Sequence, residues 1–149
     1  MNSDEIIKQK ITAILVIEVM GRPKEHLIET LEKIVSDISN EKNVKINEKK
    51  IHEPINVKDK EDLFSSYAEI EVEIEEASTL SILAFKYMPA HIEVIEPEML
   101  KMTAYQYGDI LSELIRRLHK YDELLRVMQM EKNMYAKKLS QFMPKKDKK

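Results

Sequence analysis

The chain has 149 residues, 43% apolar and 34% charged, which fits one domain, or a small domain with an extension, and supplies enough apolar mass for a core. It contains no cysteine, no tryptophan and only two glycines, Gly21 and Gly108, which excludes disulfides, thiolate metal sites, a cysteine nucleophile and a glycine-rich phosphate loop. The net charge of −3 divides into −9 over residues 1–100 and +6 over residues 101–149, an acidic body followed by a basic arm. The longest apolar run, Ala13 to Ile17, is far too short to cross a bilayer. The opening residues carry Asp4 and Glu5 without an apolar core, so no secretory signal is expected and a soluble, cytoplasmic protein is.

Ile11–Met20 is rich in β-branched residues and apolar on both faces, the pattern of a central strand. Gly21-Arg22-Pro23 ends it, and Pro23 suits the first turn of a helix. Leu27, Leu31, Ile34, Val35 and Ile38 then recur at helical spacing until about Asn40. Val44–Ile51 reads as a more polar strand, followed by a charged loop over residues 52–61. In Tyr67–Glu75, Ala68, Ile70, Val72 and Ile74 alternate with Glu69, Glu71, Glu73 and Glu75, the signature of a half-buried strand. Ser78 is placed to cap a short helix carrying Leu80, Leu83, Ala84 and Tyr87, which Pro89 stops, and His91–Glu96 forms a last strand before Pro97. The order β-α-β-β-α-β predicts a ferredoxin-like α+β sandwich over residues 1–100.

This plan places the second strand antiparallel beside the third. Lys45, Asn47 and Lys49 should then face the glutamate row across the strands, so that the row is a solvated, charge-paired sheet face and not a metal site. Ile14, Val16 and Ile95 make the rest of that face apolar, and a later helix or a second subunit is expected to cover them.

From Thr103 to Phe142 there is no proline, and a helix of forty residues would extend roughly 60 Å. Tyr107, Leu114, Tyr121, Met128, Tyr135 and Phe142 recur every seven residues, and so do Leu111, Leu118, Leu125, Lys132 and Leu139. These are the d and a positions of a coiled coil, with Lys132 the one polar core position. Arg117 at g and Asp122 at the next e have the spacing of an interchain ion pair in a parallel dimer, while the large tyrosines at d leave antiparallel pairing open. The expected oligomer interface is therefore Leu111, Leu114, Leu118, Tyr121, Leu125, Met128, Lys132, Tyr135 and Leu139. Ile110 and Ile115 widen the stripe near its start, where docking on the chain's own sheet is expected before self-association takes over. The helix is assigned to residues 101–143, and residues 144–149 to a basic disordered tail. Lys137, Lys138, Lys145, Lys146, Lys148 and Lys149 are candidate contacts for an anionic partner.

Candidate chemistry is sparse. His26, His52, His91 and His119 form no helical metal pair, and no His-Glu-x-x-His run exists. His91 and Glu93 would share a sheet face with Glu18 or a glutamate of the third strand, but a two-residue match arises easily by chance and a surface imidazole is the expected reading. Ser65-Ser66 lacks the glycines of a nucleophile elbow. No catalytic residue, cofactor site or metal site is expected, and the chain reads as a non-enzyme.

The stretch Val19-Met20-Gly21-Arg22-Pro23-Lys24-Glu25-His26-Leu27 resembles the strand–turn–helix start of ACT domains, small ferredoxin-like regulatory modules that bind an amino acid between paired domains. Here glycine precedes the proline, and Lys24 stands where that family usually carries glycine. The resemblance implies a small-molecule sensor with its ligand near Gly21–Leu27. By topology alone the plan is also similar to the nucleotide-exchange domain of elongation factor 1-beta. The expected function is a non-enzymatic homo-oligomeric interaction or scaffold module, dimerised through its C-terminal helix, without a membrane and open to another protein partner. An RNA- or ribosome-associated factor using the lysine-rich arm and an ACT-like sensor are the alternatives. Salt-dependent binding to bulk RNA and ligand-induced thermal stabilisation, respectively, would distinguish them.

Overall fold

The computed structural model of the protein describes residues 6–143. The chain runs β1 (Ile11–Gly21), α1 (Lys24–Ser39), β2 (Val44–Ile51), β3 (Ile55–Asn56), β4 (Phe64–Ile74), α2 (Ala77–Tyr87), β5 (His91–Glu96) and α3 (Ala104–Phe142). The main strands lie in the order β2-β4-β1-β5, every neighbour antiparallel, and the short β3 pairs with β4. This is the ferredoxin-like order expected from the sequence, with β3 added inside the segment read as a loop. The expected tail, with Lys145, Lys146, Lys148 and Lys149, lies outside the described residues.

Period-two alternation decides the sheet's two faces. Ile11, Ala13, Leu15 and Ile17 of β1 and Ala68, Ile70, Val72 and Ile74 of β4 point to one side, where Leu31, Val35 and Ile38 of α1 and Leu80 and Leu83 of α2 cover them in one buried cluster. Ile92 and Val94 of β5 pack at its margin, half-buried. α1 starts directly after Pro23, whose φ of −72° needs no adjustment for a helix start. Its buried residues Leu27, Leu31, Val35 and Ile38 share one face. In α2 the cap is Glu76 and not Ser78; the Ser78 hydroxyl, inside the first turn, donates to Glu76 Oε2 at 3.2 Å. The helix closes on Met88, which takes the left-handed conformation just before Pro89.

β2 corrects the sequence reading in one respect. The register to β4 shifts between Ile46 and Glu48, so Asn47 is an extra residue in a bulge. Before the bulge Lys45 stands opposite Glu73, as expected. After it the phase reverses: Lys50, not Lys49, stands opposite Glu69, Lys49 pairs with the core residue Ile70, and Ile51 with the core residue Ala68. Asn47 still reaches the glutamate row, its amide donating to Glu71 at 3.1 Å.

α3 begins with a capping box. The amide of Gln106 donates to Thr103 Oγ1 at 3.1 Å, and Gln106 Oε1 accepts from the Thr103 amide at 2.9 Å. The same side chain bridges back to the start of the described chain, accepting from the Ile7 amide and donating to the Ile7 carbonyl, both at 3.1 Å. Gln9 adds a parallel bridge to the Met99 carbonyl and the Lys101 amide. Gln106 is the buried residue of α3, and its burial is tolerable because its polar atoms are all bonded. Gln106→Ala strands the Ile7 and Thr103 amides, so urea denaturation is expected to show a loss of about 1–3 kcal/mol. The chain divides into two compact units, Met1–Ile110 and Leu111–Lys149.

Candidate functional site

The outer sheet face is built from the positions that alternate with the core. Glu69, Glu71 and Glu73 of β4 stand beside Val16, Ile14 and Thr12 of β1. Beyond them on β5, His91 stands opposite Val16 and Glu93 opposite Ile14. Each glutamate of the row has a polar or cationic neighbour. Lys10 lies 3.0 Å from Glu73, and its hydrogen bond holds the Glu73 carboxyl below the usual carboxylate range. Asn47 serves Glu71, and His52 Nε2 lies 2.6 Å from Glu69 Oε2. Glu18, expected as a companion of His91, instead accepts from the Ser65 hydroxyl at 2.9 Å. The face is partly charge-paired, with Glu48 opposite Glu71 and the Asn47 amide bonded to Glu71, and it carries a half-buried Ile14 and Val16 stripe and an exposed Ile95. Among the described residues no three of His, Asp and Glu gather as metal ligands.

The His52 site was not foreseen. The ring stacks on Tyr67 with centroids 4.0 Å apart and planes at 16°, and the backbone of His52 is locked by the Tyr67 carbonyl at 2.9 Å and the Ser66 hydroxyl at 2.5 Å. Residues 52 and 69 meet because of the register set at the bulge, whose position the polar residues 47–50 do not mark. This arrangement fixes the exit of β2 against β4.

A second unforeseen cluster ties α1's exit to α2. Glu41 accepts from Lys86 and from the Tyr87 hydroxyl, the latter at 2.5 Å. The Lys86 bond, then the Tyr87 bond, lowers the Glu41 carboxyl from its ordinary 4.5. The same Glu41 bond raises Lys86, and burial followed by the Glu41 bond raises Tyr87. A carboxyl lowered by folding contributes stability that is present above its unfolded value and lost as pH falls through the folded one. The stability gap between the wild type and Glu41→Gln is therefore expected to close as pH drops below about 4.5, followed by thermal melts across that window.

The Gly21–Leu27 segment forms a shallow surface hollow of about 510 Å³ lined by Arg22, Pro23, Lys24, Glu25, Asp62 and Phe64. The cap position of α1 makes no side-chain bond to the helix start.

α3 carries the residues singled out for an interface. Leu111, Leu118, Leu125 and Leu139 are 40–64% exposed, and Tyr121, Met128 and Tyr135 are exposed beside them in the same stripe. Leu114 is half-buried and Lys132 exposed. The charges that flank the stripe pair along the helix itself: Arg117 Nε donates to Glu113 at 2.9 Å, and Arg126 lies 2.8 Å from Asp122. Arg117 and Asp122 are thus both engaged within their own helix. Lys137 and Lys138 line a groove of about 370 Å³ on the helix surface with Met130 and Met134. No described helix is long and apolar enough to cross a membrane.

No curated protein and no solved structure matches the chain. A family model matches residues 12–145, a range that takes in β1 through the end of α3, and the chain belongs to the MJ0538 family.

Proposed function

We propose that the protein is a non-enzymatic interaction module that self-associates through α3. One observation carries this reading. A helix of 39 residues keeps a heptad stripe of leucine, tyrosine and methionine from Leu111 to Phe142, and apart from the half-buried Leu114 those side chains are exposed. A helix that long is not stabilised by propensity alone and normally gains its stability by burying an apolar face. Exposed apolar area of this extent marks an interaction site, and the period of seven selects another helix as the partner. The sheet domain has its own buried core, formed by residues of β1, β4, α1 and α2.

Sedimentation velocity at tens of micromolar tests the reading. A dimer or larger species supports it, and a monomer overturns it. Lys132→Leu is expected to tighten the complex while broadening the distribution of oligomer sizes, because Lys132 is the polar position that specifies the seam. Equilibrium sedimentation of this variant reads both effects.

A further inference from the structure

We infer that the partner of α3 is a second copy of this chain running antiparallel, with Leu125 of one helix opposite Met128 of the other. The inference rests on the self-association proposed above and adds its direction and register.

The side chains in the stripe decide between the two directions. In a parallel pair each position meets itself. Tyr121 would then lie against Tyr121, Tyr135 against Tyr135, and Lys132 would place two ammonium groups in one layer of the seam. Like charges facing each other in a desolvated layer repel, and stacked pairs of large rings at d crowd a two-helix core. In an antiparallel pair each a residue meets a d residue. With Leu125 opposite Met128, Leu118 meets Tyr135 and Lys132 meets Tyr121, and the overlap runs from Leu111 to Phe142. Each aromatic ring of the overlap then meets a leucine or the flexible Lys132, the remaining layers join Leu114 to Leu139 and Leu125 to Met128, and no two rings or two ammonium groups share a layer. The Lys132 stem can lie along the Tyr121 ring with its ammonium at the ring face or in solvent, a favourable placement for an exposed cation.

The flanking charges have partners that do not require parallel pairing. Arg117 and Asp122, the pair that a parallel dimer would join across chains, are bonded to Glu113 and Arg126 of their own helix. The antiparallel register brings Arg117 toward Lys138 of the other copy, where Glu113 already compensates the guanidinium.

A single spin label tests the direction in the full chain. The protein has no cysteine, so Ser140→Cys creates one attachment point, on an exposed residue outside the stripe. In the antiparallel register position 140 lies opposite position 113, and at about 1.5 Å per residue the two labels stand roughly 40 Å apart. In a parallel pair they stand within roughly 20 Å, given helix axes about 10 Å apart. A distance distribution near 40 Å is expected from pulsed dipolar spectroscopy. A distribution near 20 Å or below overturns the direction and leaves self-association standing. A sample without dipolar coupling that also sediments as a monomer overturns both.

Discussion

Leu118→Asp combined with Leu125→Asp is expected to dissociate the protein into monomers without unfolding the sheet. Both leucines lie in the exposed stripe, 56% and 64% accessible, so in the free chain the substitutions cost little beyond a small change in helix propensity. In the assembly they would place carboxylates in a seam that excludes water, where an unpaired charge costs several kcal/mol. That difference between the free and assembled states drives dissociation. Sedimentation velocity reads the mass, and circular dichroism reads whether the fold survives. Loss of the β signal along with the mass change would mean that these leucines pack on the chain's own domain and that the heptad is core periodicity.

The second large effect concerns the core. Ile70 is 1% exposed, at the middle of β4, between Leu15 of β1 and Lys49 of β2. β4 itself lies between two other strands, so its neighbours cannot close readily on a void. Ile70→Ala should lower the unfolding free energy by about 2–5 kcal/mol, and Ile70→Val by about 0.5–1.5 kcal/mol. Urea titrations of both variants check the pair; equal costs would show that the loss does not grow with the void left behind. Unlike the double aspartate variant, these should leave the sedimentation of the folded fraction unchanged, since the proposed seam and the core lie on different elements.

The two outcomes bear on how far the sequence can be read. Ala68, Ile70, Val72 and Ile74 were legible as a buried row because period-two alternation admits only one pleated face. The both-face apolarity of β1 correctly marked a strand with neighbours on each side. The bulge at Asn47 leaves one mark in the sequence, the odd spacing between Ile46 and Ile51, which both pair with core residues; that single parity break does not say which residue is the extra one, and with it went the identity of the lysine opposite Glu69. The pairing of His52 with Glu69 and of Glu41 with Lys86 depends on elements meeting in space, and neither residue has a distinctive local setting. Thr103-x-x-Gln106 is different. Its spacing before a long helix is a recognisable capping signal, but the reach of Gln106 to Ile7 follows only from the fold. The heptad stripe was fully visible in the chain, as periodicity survives whatever the partner is.

The bulge at Asn47 has a counterpart. The pairing of β5 with β1 also slips, between Thr12 and Ala13, which leaves Ile95 as the extra residue. β2 and β5 are the outermost of the four long strands, so both rims of the sheet are broken by an irregularity, one of them also lined with Lys45, Lys49 and Lys50. A flat, regular rim invites a neighbouring molecule to add its own strand and continue the ladder into fibres. Here a bulge interrupts the pairing of each rim strand, a feature that raises local twist and breaks a regular edge, and the lysines of β2 oppose an identical rim. If the chain associates through α3 as proposed, such blunted rims steer contact off the sheet, where it could propagate without end, and onto a helix, where it closes.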